Sequence, residues 1–299
     1  MSQAFRPKNY FKPVTVEQTC ELLTQYGERA RVISGGTGIY EVAHGGLLSD
    51  VECLVDLSAL DLDHILVDES SIHIGATTTL STMMDSSLLS HVKEISVLAE
   101  ALRVIQPLQV KNVATIGGAI CTALPFFDLP VALITLDASV RIAPKARIEK
   151  VSEFIEGYFS VDLGSGEFVT EILVPVAQRN GSVGSAFQKF AITGDDWALI
   201  NCGALVRLDK GVISSVRLCF GGGIGEKPKK VEKTEKLLEG LRATDEIKIK
   251  SVLNENLPNE LETISDIRAS SEYRAHLAKV LGRRAIVLAC NRALEPFRI

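Results

Sequence analysis

Two glycine pairs, each placed beside apolar and hydroxyl-bearing residues, constrain this chain more than any other feature of its sequence. The first lies in the segment from Val32 to Ile39, which reads VISGGTGI, and the second in the segment from Lys111 to Asp128, which reads KNVATIGGAICTALPFFD. Because glycine has no Cβ, a bulky anionic ligand can approach the main-chain N–H groups of such a loop closely. We therefore expect the two loops to grip one diphosphate from both sides.

Each glycine pair taken alone has a second interpretation as an ordinary turn at a strand end, since glycine is the usual residue where φ is positive. Neither Gly36-Thr37-Gly38 nor the glycine-rich stretch from Gly221 to Pro228 completes the G-x-G-x-x-G pattern of a Rossmann site. We interpret the later stretch as a turn. The combination of the two earlier loops is what favours a diphosphate ligand.

The composition is that of a soluble globular protein with room for two domains. The chain has 299 residues, of which 46% are hydrophobic and 23% charged, and its net charge is −5. A net negative charge argues against nucleic acid or an anionic membrane as a partner. The longest uncharged run, which contains Val113 to Phe127, is shorter than the ~20 apolar residues of a membrane helix. The N-terminus lacks the apolar core of a secretory signal, so we expect a cytoplasmic protein.

Cysteine and histidine spacing predicts no metal site. The six cysteines form no C-x-x-C pair, and the five histidines show no helical pairing typical of metal ligands. No Ser-His or Cys-His pair suggests a nucleophile, so we predict no catalytic side chain.

Hydrophobic periodicity predicts an α+β chain in two domains. A capping pattern at Val14–Glu17 begins a helix on which Val16, Cys20 and Leu23 share a face. We place an N-terminal domain at residues 1–178, with subdomains of about 1–57 and 58–178, and a C-terminal domain at 183–299. The turn at Asp209-Lys210-Gly211 predicts a hairpin in the second domain, and three helices are expected to end the chain.

The two glycine loops resemble the FAD-binding loops of the flavoprotein (medium) subunit of the molybdenum hydroxylases, the family of xanthine dehydrogenase, aerobic carbon monoxide dehydrogenase and 4-hydroxybenzoyl-CoA reductase. The similarity extends over nearly the whole chain and includes Ile74-Gly75-Ala76 and the Phe187-Gln188-Lys189 segment. It implies a two-subdomain FAD-binding domain of the PCMH (vanillyl-alcohol-oxidase-like) type. A smaller C-terminal domain, with an antiparallel sheet packed on helices, is expected to follow.

The resemblance also implies a set of cofactor-binding residues. Asp128 matches a position that bonds the ribityl or ribose hydroxyls, although it could equally cap the helix predicted at residues 129–136. Lys189 is expected near the flavin, where a cation stabilises its anionic reduced form. The sequence departs from the family pattern at Gly38, Ala119 and Ile192. The full predicted set is Val32, Ile33, Ser34, Gly35, Gly36, Thr37, Gly38, Ile39, Ile105, Thr115, Ile116, Gly117, Gly118, Ala119, Thr122, Asp128, Leu173 and Lys189.

The function implied is that of an electron-transfer flavoprotein subunit. In this family a large subunit carries molybdopterin, a small subunit carries two [2Fe-2S] clusters, and FAD on the medium subunit passes electrons to an external acceptor. Two alternatives stay open at this point. One is a self-sufficient FAD oxidoreductase of the related fold, and the other is a nucleotide-binding assembly module without redox turnover, for which the departures from the family pattern are the only support.

Overall fold

The first subdomain is a small parallel sheet with helices. A computed structural model describes residues 5–44, 48–87, 93–176 and 182–295 of the chain. The elements of this subdomain are β1 (Asn9–Phe11), α1 (Val16–Tyr26), β2 (Ala30–Ile33), α2 (Thr37–His44) and β3 (Cys53–Asp56). The strands lie in the order β1-β3-β2, and both neighbouring pairs are parallel. Since β2 runs through the first glycine pair into α2, the N-terminus of α2 lies at the carboxyl edge of the sheet, where ligands of such sheets bind.

Helix α1 begins at the residue that the capping pattern predicts. The hydroxyl of Thr15 accepts a hydrogen bond from the N–H of Gln18 at 3.2 Å. Cys20 and Leu23 are buried on the inner face of the helix, where they pack beside Val55 of β3. The cap and the apolar face together account for the position of this helix.

The second subdomain is built on an antiparallel sheet with the strand order β4-β5-β10-β6-β7. Its strands are β4 (Ile65–Val67), β5 (Ser71–Gly75), β6 (Ser139–Ala143), β7 (Arg147–Lys150) and β10 (Phe168–Pro175), and a separate hairpin is formed by β8 (Ile155–Gly157) and β9 (Ser160–Val161). Its helices are α3 (Leu80–Asp85), α4 (Ser96–Val104), α5 (Leu108–Lys111), α6 (Ile116–Cys121), α7 (Asp128–Thr135) and α8 (Val151–Phe154).

The C-terminal domain is an antiparallel sheet of four strands packed on helices, as expected. Its elements are β11 (Ser182–Phe190), β12 (Ile200–Asp209), β13 (Val212–Gly222), β14 (Lys229–Lys230), α9 (Glu232–Leu238), α10 (Glu246–Glu260) and α11 (Ser271–Leu294). The hairpin between β12 and β13 turns at Lys210 and Gly211, where φ is +47° and +80°. Two positive φ angles are what a tight two-residue hairpin needs. The domain boundary predicted between residues 178 and 183 lies outside the described residues except for Ser182, which begins β11.

Helix α7 joins the two domains. All eight of its residues are buried. Two glycines of the C-terminal sheet let it approach closely: a Cβ on Gly203 would lie 2.3 Å from Thr135 Oγ1, and one on Gly221 would lie 2.5 Å from Val131 Cγ2. Since real Cβ atoms do not approach other atoms so closely, a larger residue at either position would push the helix away. Among the described residues, no helix has both the length and the apolar character of a membrane span.

Candidate functional site

A cavity of about 920 Å³ lies between the two subdomains of the N-terminal domain. From the first subdomain it is lined by the end of α1, by β2, and by the first glycine segment, residues 33–39. From the second subdomain it is lined by parts of α6, by Tyr158 and Phe159, and by residues 163–169. The two glycine segments that are far apart in the sequence therefore form facing walls of one space.

The first glycine segment presents a continuous row of unused hydrogen-bond donors. Within the described part of the chain, the six N–H groups of residues 34 to 39 have no acceptor, and the first bonded group is that of Tyr40, which donates to Gly36 O at 3.2 Å. Gly36 has a φ of +75°, which turns the chain from β2 into α2. Free N–H groups at a helix N-terminus, reinforced by the helix dipole, form a site for an anion.

The second glycine segment is hydrogen-bonded within the protein. The N–H groups of residues 116 to 119 donate, in chain order, to Thr78 O (3.1 Å), Ala76 O (3.0 Å), Thr115 Oγ1 (3.2 Å) and Thr115 O (2.9 Å). The glycine pair lies in the first turn of α6, and a Cβ on Gly117 would be 2.7 Å from Ala76 O. These four bonds hold the start of α6 as a rigid wall, so the N–H groups of its glycine pair are already used within the protein.

The two segments touch at two points where only glycine fits. A Cβ on Gly35 would lie 1.8 Å from Val113 O, and one on Gly38 would lie 2.2 Å from Thr122 Oγ1. The departure from the family pattern at Gly38 therefore has a steric explanation, because the side chain of Thr122 occupies the position that a Cβ on residue 38 would need. The Thr122 hydroxyl donates to Gly118 O at 2.7 Å.

Among the side chains of the second segment, Thr115 has a proton to offer. Its hydroxyl oxygen accepts from Gly118, and its own proton has no acceptor among the described residues. Cys121 also lines the cavity, but burial raises the pKa of its thiol to about 12. A protonated thiol is an apolar wall and not a nucleophile.

Twelve of the eighteen predicted site residues line the cavity. They are Val32, Ile33, Ser34, Gly35, Gly36, Thr37, Gly38, Ile39, Thr115, Gly117, Gly118 and Thr122. The other six are absent from its lining: Ile105, Ile116, Ala119, Asp128, Leu173 and Lys189. Of these, Ile116 is fully buried in the core of the second subdomain, and Ile105 and Ala119 pack against that core.

Asp128 and Lys189, which were expected separately near the cofactor, bond each other. Lys189 Nζ of β11 donates to Asp128 Oδ2 at 2.8 Å, and Asn201 Nδ2 of β12 donates to Asp128 Oδ1 at 2.7 Å. Burial raises the pKa of the Asp128 carboxyl, and the two partners oppose that shift. The capping alternative is wrong, because the N-cap of α7 is Phe127 and Asp128 follows it. The pair holds α7 against the C-terminal sheet.

Sequence reasoning missed a third part of the cavity wall. Tyr158, Phe159 and residues 163–169 complete it. In the sequence, Gly164-Ser165-Gly166 is a turn pattern and was the available signal for this part of the wall. In the structure, Gly166 has a φ of +82°, and a Cβ on it would lie 2.3 Å from Thr24 Oγ1. The aromatic pair carries no such pattern. Among the described residues, no group of three or more His, Cys, Asp or Glu side chains is placed to hold a metal ion.

Two family models match the chain. Residues 3–177 match the FAD binding domain in molybdopterin dehydrogenase, and residues 185–289 match the C-terminal domain of the CO dehydrogenase flavoprotein. The first match alone covers more than half of the chain.

Similar proteins extend over nearly the same length. The chain is 28% identical to the glyceraldehyde dehydrogenase medium chain of Sulfolobus acidocaldarius, over 93% of this chain and 96% of that one. It is also 28% identical to the carbon monoxide dehydrogenase medium chain of Afipia carboxidovorans, over 95% and 97%. Among solved structures, carbon monoxide dehydrogenase from Hydrogenophaga pseudoflava gives a TM-score of 0.88 at 26% identity, covering 96% of this chain and 98% of that one. Quinoline 2-oxidoreductase from Pseudomonas putida 86 gives 0.88 at 25% identity, covering 98% and 100%.

Proposed function

The chain belongs to the family of FAD-binding subunits of molybdopterin dehydrogenases, and on that premise we propose that it is the electron-transfer subunit of a heteromeric molybdenum hydroxylase. In this proposal it receives electrons from the [2Fe-2S] clusters of a small subunit and delivers them to an external acceptor. Substrate is oxidised at the molybdopterin of a large subunit. The similarity to proteins described as medium chains supports a complex of several subunits.

The observation that carries the proposal is the row of six unused N–H groups on the cavity wall. A diphosphate supplies anionic oxygens that such donors bind, and the helix dipole of α2 adds to the attraction. A volume of about 920 Å³ is at the upper end of the range typical of cofactor sites, as a dinucleotide requires. The residues present therefore fit FAD, which when bound exchanges electrons singly or in pairs.

Main-chain and side-chain groups of this chain have positioning roles in that chemistry. Residues 34–39 bind the diphosphate, and the Thr115 hydroxyl adds a donor from the opposite wall. The predicted site residues outside the cavity act through structure. Ile116 and Ala119 hold α6 in place, and the bond between Asp128 and Lys189 sets the C-terminal sheet against α7. No side chain of the cavity is assigned an acid or base role.

The experiment that tests this proposal is the visible absorption spectrum of the purified chain, with identification of the nucleotide released on denaturation. Stoichiometric FAD is expected. A purified chain that contains no flavin and does not bind added FAD would contradict the proposal and favour the assembly module.

A matched pair of glycine variants locates the site. Gly36 has a φ of +75°, and a Cβ there would meet only Ile33 Cδ1, at 3.7 Å. Gly240 has a φ of +84°, and a Cβ there would meet no atom within 4 Å. Alanine at either position therefore carries a similar backbone cost, about 1–2 kcal/mol. Only Gly36→Ala disturbs the donor row, so we expect FAD affinity to fall at least about tenfold in that variant. Gly240→Ala should keep FAD. Equal FAD content in both variants would contradict the assignment of the first glycine segment to the FAD site.

A further inference from the structure

The tip of the hairpin between β8 and β9 places two aromatic rings on the cavity wall. Tyr158 and Phe159 are the two residues between the strands, and their rings meet edge to face with centroids 4.5 Å apart. Tyr158 is 48% exposed although it borders the cavity. A large ring that borders a cavity and stays open on one side is free to receive another ring.

The backbone at this tip is held in an unfavourable conformation. Phe159 has a φ of +56°, and its N–H donates at 3.1 Å to the carbonyl of Ala123, which has a φ of +47°. A bulky residue in the left-handed region costs about 1–2 kcal/mol, and such strain persists where the surroundings enforce it, often at ligand clamps. Lys227 Nζ of the C-terminal domain anchors the hairpin further by donating to Ile155 O at 2.9 Å.

Packing of the hairpin does not require the Tyr158 ring. Phe154 and Ile155, which precede the tip, are 0% and 1% exposed and belong to the core of the second subdomain. The half-exposed tyrosine adds little to that core. The strained turn therefore serves to present the ring at the cavity, close to where α6 ends.

We propose that Tyr158, backed by Phe159, is a stacking platform for a planar heteroaromatic ring of the dinucleotide bound in the cavity. This inference rests on the proposed binding of FAD. FAD has two such rings, adenine and isoalloxazine, and both offer the flat face that an aromatic side chain contacts favourably. The platform fixes the orientation of that ring and takes no part in proton transfer.

The test compares FAD and ADP binding to the full-length chain after removal of its flavin, by titration calorimetry. Tyr158→Ala is expected to weaken FAD binding about tenfold, whereas Tyr158→Phe, which keeps the ring, should stay within about twofold. A parallel loss of ADP affinity in Tyr158→Ala assigns adenine to the platform. A loss for FAD with unchanged ADP affinity assigns the isoalloxazine ring.

Tyr273 offers a matched control. It is 44% exposed, its ring meets Phe190 edge to face at 6.2 Å, and it does not line the cavity. Tyr273→Ala should bind both ligands like the unchanged chain. If Tyr158→Ala is unstable, Tyr158→Leu keeps apolar bulk without a ring and repeats the test. Unchanged FAD and ADP affinities in the Tyr158 variant would overturn the platform alone, whereas failure of the unchanged chain to bind FAD would overturn the proposed function.

Discussion

Replacing Lys189 by methionine is expected to destabilise the protein in a manner that depends on pH. The substitution keeps the length of the side chain but removes the cation that lies 2.8 Å from Asp128 Oδ2. Asp128 is 5% exposed, so its carboxylate has almost no water to replace the lost partner. Removing one member of a buried ion pair costs about 3–5 kcal/mol. Because Asn201 still donates to the other oxygen, we expect the lower end of that range, about 3 kcal/mol.

The sign of the pH dependence follows from Asp128. Burial already raises the pKa of this carboxyl in the folded chain, and loss of Lys189 raises the pKa further. A group that binds its proton more tightly when folded stabilises the protein as pH falls from the folded pKa toward the unfolded value, about 3.9. The deficit of Lys189→Met should therefore be largest at neutral pH and shrink as the solution is made acidic.

Urea unfolding followed by circular dichroism measures the free energy of unfolding at pH 7 and pH 5. The double variant Asp128→Asn with Lys189→Met should recover most of the stability, because the amide has no charge to bury. Lys8→Met breaks the exposed ion pair with Glu52 and should leave the unfolding midpoint unchanged. A Lys189→Met chain as stable as the unchanged one at pH 7, or a deficit that does not vary with pH, would refute this account of the pair.

Two further predictions concern the contact between the glycine segments and a charged network on the sheet of the second subdomain. Gly38→Ala should lower FAD affinity because its Cβ would meet Thr122 Oγ1, and adding Thr122→Ala should restore it; a calorimetric titration with no rescue would contradict the steric cause. The ring of His73 faces Asp68 at Nε2 (2.9 Å) and Glu171 at Nδ1 (3.2 Å). Burial lowers the pKa of His73, but the two carboxylates outweigh burial, so its pKa in the folded chain is raised. The protonated ring therefore stabilises the fold fully below the unfolded pKa of about 6.5, and this stabilisation is lost as pH rises through the folded pKa. His73→Gln should remove this alkaline loss of stability in urea titrations, and an unchanged pH profile would exclude His73 as its source.

Local patterns in the sequence predict much of this fold. The cap at Thr15, the hairpin at Lys210 and Gly211, and the long last helix are each set by residues close together in the chain. The two glycine segments were expected to meet around one ligand, and they do form facing walls of one cavity. Their similar composition favoured one shared ligand, and the resemblance strengthened that expectation, but no local pattern fixes which two loops come together in the fold.

The division of roles between the two segments could not be read from the sequence. The N–H groups of the second segment are bonded partly by Thr78 O and Ala76 O, which another part of the chain supplies. Likewise, Asp128 and Lys189 are 61 residues apart, and only the packing of α7 on the C-terminal sheet brings them together. The departure at Gly38, which counted in favour of an assembly module, is accounted for by its contact with Thr122.

The burial of α7 between the two domains has a consequence for how the protein folds and is inherited. All eight residues of this helix are buried, and the glycines of the C-terminal sheet pack against it. Separation of the domains would therefore expose apolar surface on both. The two domains should therefore melt in a single cooperative transition, and a fragment ending near residue 181 should expose an apolar helix face and aggregate. We therefore expect the two domains to be encoded together, since exchanging either one would require compensating substitutions in the helix that both contact.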